Sequence, residues 1–420
     1  MRSYAAAALY FAVAFSIAGC GAMRSLVPSS SPAASGLGPD VIQTGKKPVD
    51  WTQFTPPIAQ NRYFGIVAGP DGNMWFTEEV TGDLNRITMQ GAVKSFNISS
   101  DAPNYLAVGR DKKFYVTVTT FPGKILQVTK AGVVQTFDVP SLETSLGGIA
   151  EGPDGNAWFT NNDHIAQVTT KGVITEFPFS TRDAGPGGVT PGPDGNVWFT
   201  EETANKIGNI NPRSHAIHEI SLTQTCDPAS IVTGSDGNLW IDCGTSIARV
   251  TMAGALTLVA NPDGFAQSHE ELASGPDGQV WIATGRTGGV IDAVNPATLA
   301  LTSFSAPFAG DFCEAIAAGP DKNLWVTTQA SGHIDVHILQ VLSVRPAAVS
   351  FSATGQAKTL TVAEPNTNAW TALSKDTTIA TVAQGGSSNT FVLTAAGVGT
   401  TRVTVKDAIG NSFGVKVTVL

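Results

Sequence analysis

The stretch Gly192-Pro193-Asp194-Gly195-Asn196-Val197-Trp198-Phe199-Thr200 decides the fold, because it recurs. Variants begin at Gly69, Gly109, Gly152, Gly234, Gly275 and Gly319, so successive copies stand 40, 43, 40, 42, 41 and 44 residues apart. Each carries an aromatic six positions after its leading Gly: Trp75, Tyr115, Trp158, Trp198, Trp240, Trp281 and Trp325. A fixed period of this size marks an array of stacked supersecondary units. Within one copy Pro fixes φ, Asp bonds nearby backbone and Gly accepts a left-handed conformation, which is turn chemistry. Apolar residues flank the turn, as Gly65-Ile66-Val67 before and Trp75-Phe76-Thr77 after, so it closes a hairpin. Two further short strands follow in each unit, for example residues 206–210 and 217–220. Four strands per unit is the content of one propeller blade, with the Trp of each hairpin wedged between neighbours.

The fold class expected is therefore all-β: a seven-bladed β-propeller over 50–342, then a small Ig-like β-sandwich over 343–420. The last unit offers only three strands, ending near residues 333–339. Trp51-Thr52-Gln53-Phe54 mimics Ile174-Thr175-Glu176-Phe177 and is expected to supply the missing outer strand, which leaves few open sheet edges. The tail alternates in short strands such as Thr359-Leu360-Thr361-Val362 and Val415-Lys416-Val417-Thr418-Val419. Its stretches 374–382 and 396–401 resemble bacterial Ig-like domains of group 2, which implies a spacer or adhesion module.

The first twenty residues read as a targeting segment. Arg2 is followed by the apolar run Ala5 to Ala18, too short for a comfortable permanent span, and then by Ile17-Ala18-Gly19-Cys20. That ending resembles a bacterial lipobox, so residues 1–20 are expected to be a lipoprotein signal peptide with Cys20 the lipidated residue. Acyl chains anchor through roughly 0.8 kcal/mol per buried CH₂. Residues 21–49, rich in Ser, Pro, Ala and Gly, are expected to be a flexible tether. The location implied is exported and lipid-anchored to the cell envelope, facing the periplasm or the outside. Lys and Arg number 25 against 34 Asp and Glu, a net charge of -9, and no basic block interrupts the chain. Nucleic acid is therefore not an expected partner, and a monomer is expected.

The repeat phrase, together with Pro186-Gly187-Gly188-Val189 and Asn205-Lys206-Ile207-Gly208, looks like the streptogramin (virginiamycin B) lyase family over residues 50–342. The resemblance implies a carbon–oxygen lyase that opens a cyclic depsipeptide at its ester by removing an α-proton, with a His base and Mg²⁺. At the positions that match the family's Pro-His-x-Ile pattern this chain carries Glu270 and Glu314. Where the resemblance implies carboxylates for the metal it carries Phe312 and Gln329. Hard Mg²⁺ seeks carboxylate oxygens, so no metal or other cofactor is expected, and Mg²⁺ only if the lyase reading holds. Glu270, Glu314 and His333, which opens the third strand of the last unit, are the candidate catalytic residues.

Chain direction places all the Pro-Asp-Gly turns on one face. The loops entering each unit, and those after each Trp strand, lie on the other. That second face collects Tyr63, Phe64, Glu79, Asn104, Tyr105, Asn162, Glu202 and Gln329. Aromatic, amide and carboxylate groups around a central depression suit a small polar molecule, a glycan or a protein segment. Cys226 enters the fifth unit and Cys243 ends its Trp strand, which predicts a disulfide in an oxidising compartment. Cys313 is left as a buried thiol. Nucleophile-elbow, zinc, phosphate-loop and calcium-loop motifs are absent. Three functional readings stand: a ligand- or partner-binding envelope propeller without standard lyase activity, a lyase with a rearranged site, and a surface scaffold.

Overall fold

The computed structural model describes residues 51–56, 62–141, 146–182, 184–244, 246–259, 271–284, 290–305, 313–328, 334–337, 343–346, 348–363, 370–387, 389–407 and 412–420. The expected signal peptide, Cys20 and the tether lie outside the described residues. All regular structure among the described residues is β-strand. Seven four-stranded antiparallel sheets succeed one another between Trp51 and His337. Their first strands are Tyr63–Ala68, Pro103–Val108, Leu146–Glu151, Pro186–Pro191, Ile231–Thr233, Leu272–Ser274 and Cys313–Ala318. Each first strand touches those of the preceding and following sheets, and the seventh touches the first, so the seven close a ring. This is a β-propeller, with the first strands innermost.

Closure is completed by the chain's start. Trp51–Phe54 pairs antiparallel with Ile334–His337, Trp51 opposite His337 and Phe54 opposite Ile334, as the outermost strand of the seventh sheet.

The recurring aromatic is the wedge between sheets. Trp75 of the first sheet packs among Leu106, Phe114 and Val116 of the second, and Trp158 of the third among Val189 and Phe199 of the fourth. Trp325 of the seventh packs on Tyr63 and Phe76 of the first. All six of these Trp side chains and Tyr115 are at most 1% exposed. The turn Asp explains the fixed spacing, because it satisfies the wedge's one polar group. Trp75 Nε1 donates to Asp71 at 2.9 Å, Trp158 to Asp154 at 3.0 Å, and Trp240 to Asp236 at 3.2 Å. Tyr115 substitutes its hydroxyl, 3.2 Å from Asp111. A buried indole N–H left unpaired would cost on the order of 1–3 kcal/mol. The leading Gly is required because the indole lies on it: a Cβ at Gly69 would fall 2.3 Å from Trp75 Cδ1.

The Thr two positions after the wedge joins neighbouring inner strands. Thr200 Oγ1 accepts from Gly188 N in its own sheet at 2.9 Å and donates to Ala229 O of the next sheet at 2.7 Å. Thr327 likewise accepts from Ala315 N and donates to Phe64 O, linking the seventh sheet to the first. These bonds fix the backbone that lines the ring's centre.

Beyond His337, two further four-stranded sheets form a sandwich. One contains Ser343–Arg345, Ala357–Ala363, Thr390–Ala395 and Ala380–Gln384; the other Ala348–Phe351, Ser412–Val419, Gly399–Asp407 and Trp370–Ser374. Phe351, Leu360, Leu393, Val403 and Val417 form its dry core. Among the described residues no helix is long and apolar enough to cross a membrane.

Candidate functional site at the propeller axis

A cavity of about 400 Å³ lies where the inner strands converge, lined by residues from all seven sheets. Its shape follows from two sequence columns, four and five residues before each repeat Gly. The nearer column reads Gly65, Tyr105, Gly148, Gly188, Ser230, Glu271 and Ala315. The farther one reads Phe64, Asn104, Gly147, Gly187, Ala229, Glu270 and Glu314. Small residues on the third, fourth and fifth sheets leave the space open. Phe64, Tyr105, Glu271 and Glu314 project chemistry into it, joined by Glu202 from the loop after Val197–Glu201.

Backbone bonds hold these groups in place. Glu271 O accepts from Ala283 N at 3.0 Å. Glu202 N donates to Gly185 O at 2.9 Å, and its carbonyl accepts from Asn205 N at 3.0 Å. The Phe64 and Tyr105 rings meet edge to face, centroids 5.0 Å apart at 89°. Ser230 Oγ is buried at the wall with no hydrogen-bond partner among the described residues.

The cavity is electrostatically unusual. Burial, then the neighbouring Glu314 charge, push the Glu271 carboxyl up to about 8, although the Ile316 N–H partly offsets them. Glu271 touches the open cavity but is otherwise enclosed by protein, so desolvation dominates. Burial also raises Glu314; the Arg62 guanidinium pulls it back and the Glu79 charge adds to the rise. Arg62 is itself paired with Glu79 at 3.3 Å. Burial and the charges of Glu271, Glu314 and Glu202 push the Tyr105 phenol well above its usual range, so it stays a hydrogen-bond donor.

Four of the residues expected on this face, Phe64, Tyr105, Glu202 and Glu314, line the cavity together. Glu79 sits behind it on Arg62. Tyr63 is instead fully buried in the first sheet's core, edge-on to Phe76 at 4.9 Å. Asn104 donates its side-chain amide to Thr119 Oγ1 at 3.0 Å and accepts the Thr77 hydroxyl on its backbone carbonyl, and does not line the cavity. Asn162 occupies a turn position with φ +20, also away from the lining. Glu270, His333 and Gln329 lie outside the described residues. Glu271 is the residue that sequence reading passed over. Its signal was present, since it is the one carboxylate in a column of mostly Gly, Ala and Ser.

Cys226 and Cys243 form a disulfide with Cα atoms 4.3 Å apart, and Cys313 is buried and takes no part in a disulfide. Among the described residues no three His, Cys, Asp or Glu side chains lie close enough to hold a metal ion. A second depression of about 300 Å³ on the turn face is lined by Asp154 and Asp194. Both carboxylates there already hold their Trp indoles.

The model of the virginiamycin B lyase family matches residues 42–242 and 180–340. The chain belongs to this family. Its fold is similar to a solved streptogramin B lyase at 23% identity and a TM-score of 0.62, over 68% of this chain and 97% of that one. A catalytically inactive variant of the Staphylococcus aureus virginiamycin B lyase, solved with quinupristin, is similar at 22% identity and a TM-score of 0.63, over 69% and 99%. The extracellular domain of a hybrid two component system from B. thetaiotaomicron is similar at 11% identity and a TM-score of 0.55, over 89% and 60%. At these identities the likeness is one of fold. No curated protein matches the chain by sequence.

Proposed function

We propose that this chain is an exported envelope protein, anchored through Cys20, whose propeller binds a small polar ligand in the axial cavity. The observation that carries the reading is the cavity itself. Amid Gly, Ala, Ser and aliphatic residues, three carboxylates and two aromatic rings there line one volume. Buried carboxylates are costly to a fold and are retained where they serve a site. The lipobox-like Cys20 and the likeness to extracellular domains support export. The protein works as a monomer, needs no metal for this role, and uses its C-terminal sandwich as an Ig-like spacer. Thermal unfolding against a panel of small polar molecules and glycans tests it: at least one compound raises Tm in the wild-type protein and not in Glu314→Gln. A panel without effect leaves a scaffold as the role. Labelling with radioactive palmitate, lost in Cys20→Ala, tests the anchor.

A second reading has one observation in its favour. Glu271 and Glu314 are adjacent carboxyls whose burial raises both, the arrangement that lets one act as base while its neighbour stays protonated. In a carbon–oxygen lyase Glu314 would take an α-proton and Glu271 or Tyr105 would protonate the departing carboxylate. A ring-opened depsipeptide of unchanged mass, lost in Glu314→Ala, is the expected product.

A further inference from the structure

We infer that the ligand of the axial cavity is an organic ammonium ion, its charged head held between the Glu271 and Glu314 carboxylates and the Phe64 and Tyr105 rings; this rests on the cavity being the binding site proposed above.

The sign of the site comes first. Glu202, Glu271 and Glu314 line the cavity, and no Lys, Arg or His does so among the described residues. The nearby cation, Arg62, is already held by Glu79 at 3.3 Å. An anionic ligand would meet carboxylates on several sides, whereas a cation gains from each one that ionises. The size of the site comes next. About 400 Å³ is far more than a bare ion fills and suits an organic molecule. Among the described residues no group of three His, Cys, Asp or Glu is placed to hold a metal ion. The rings complete the argument. Phe64 and Tyr105 both line the cavity, and a cation is attracted to an aromatic face. Ser230 Oγ, buried and without a partner among the described residues, offers a further polar contact on the same wall.

Proton linkage follows. Glu271 is faced by Glu314 on the seventh sheet, Glu202 on the fourth and Tyr105 on the second, and receives the Ile316 N–H. With Glu271 at about 8, most of its population is protonated at neutral pH. A cation binds the ionised form, so binding expels a proton and affinity rises with pH until Glu271 is ionised without the ligand.

The test is calorimetric titration of the full chain, in detergent micelles, with choline and with its uncharged isostere 3,3-dimethyl-1-butanol. Choline is expected to bind at least roughly tenfold more tightly, since the isostere lacks the charge that both carboxylates and ring recognise. Glu271→Gln and Glu314→Gln should each weaken choline about tenfold, and Phe64→Leu about fivefold, with all three variants folded by circular dichroism. Wild-type affinity should climb between pH about 6 and about 9, and that climb should vanish in Glu271→Gln. Equal binding of the two probes overturns the inference. So does a neutral compound from the panel that binds in a Glu314-dependent way while choline does not, and that result leaves the cavity as a binding site. If neither choline nor any panel compound binds, both readings fall.

Discussion

The first and fourth sheets carry the same Glu-Glu pair at the same place, three and four residues after the wedge Trp, and the two pairs meet opposite fates. Glu78 and Glu201 are both fully buried. Glu78 accepts from Val80 N at 3.0 Å, from Thr81 N at 2.5 Å and from the Thr81 hydroxyl. Glu201 has no hydrogen-bond partner for either oxygen among the described residues. The reason lies three residues on. Where the first sheet has Thr81, the fourth has Ala204, which brings no hydroxyl and whose N–H is committed to Ala184 O at 3.3 Å. The following residue is left-handed in both, Gly82 at φ +73 and Asn205 at φ +51, so the turns are alike and the donors are not. Burial, then the Glu219 charge, push Glu201 up to about 7, despite Lys206 nearby. Lys206 is spent on Glu219 at 2.9 Å; burial would raise Glu219, but Lys206, Ser180 and Thr181 together hold it down at about 2. Whether a buried carboxylate finds hydrogen bonds is thus decided by the donors its turn has to offer, not by its position in the repeat.

The comparison breaks most visibly at Glu78. Glu78→Leu leaves the Val80 and Thr81 amides without their acceptor, the Thr81 hydroxyl keeping Asp83, and should cost about 3 kcal/mol. Glu201→Leu removes an orphan and should be neutral or stabilising by about 1 kcal/mol. Equal losses in urea unfolding would mean that the two carboxylates do the same work. The pH dependence is the next largest effect. Glu201 is raised from 4.5 to about 7, so the folded state holds a proton that the unfolded chain releases. Its contribution is fully present below pH 4.5 and is lost as pH rises to about 7, on the order of 3 kcal/mol in all. Denaturant unfolding of wild type and Glu201→Gln across that window should diverge by this amount, the variant lacking the decline. Parallel curves would place the proton elsewhere.

The ring was legible in the chain because its determinants are local. Turn, wedge and spacing all sit within nine residues, and the Asp that shapes the turn also caps the Trp. The outer strand Trp51–Phe54 was legible because it copies the pattern of other fourth strands. Cavity chemistry was only half legible, and on five of the seven sheets a bulge is part of the cause. The inner strands shift register between Tyr63 and Ile66, Pro103 and Leu106, Leu146 and Ile149, Pro186 and Val189, and Cys313 and Ala315. An extra residue re-aims neighbouring side chains. Strict alternation would put one of two consecutive residues at the axis. In the structure Gly147 with Gly148, Gly187 with Gly188, and Glu314 with Ala315 both line it. The same irregularity accompanies the placing of Tyr63 in the core. Glu271 escaped for a different reason: Glu270 and Glu314 come from the positions matching the family's Pro-His-x-Ile pattern, and Glu271 is one residue beyond the first of them. The fate of Glu201 was illegible for another reason: its would-be donor is taken by Ala184, 20 residues upstream by number, a contact that only the folded turn creates.

The comparison can be sharpened by giving the fourth sheet what the first has. Ala204→Thr supplies the missing hydroxyl and should stabilise by about 1 kcal/mol at pH near 8, where Glu201 is ionised, and by less at acid pH. The gain should disappear in the Glu201→Gln background, which a double-mutant cycle measures.

The smallest effect on stability should come from the second residue of the pair. Glu79 and Arg62 form an ion pair whose side chains are 26% and 55% exposed. Water screens such a pair, so Glu79→Gln should change unfolding free energy by less than about 0.5 kcal/mol. The site should nonetheless register it. The Glu79 charge adds to the rise of Glu314, while Arg62 opposes that rise. Removing one negative charge and freeing the guanidinium both favour ionised Glu314, so its titration should move to lower pH, read from the carboxyl carbon signal by NMR. An unmoved Glu314 alongside an unchanged stability would separate the first sheet's ion pair from the cavity. A shift without a stability change would mean that Glu79 acts on the axial site through charge alone, as Glu202 does from the fourth sheet by lining it directly.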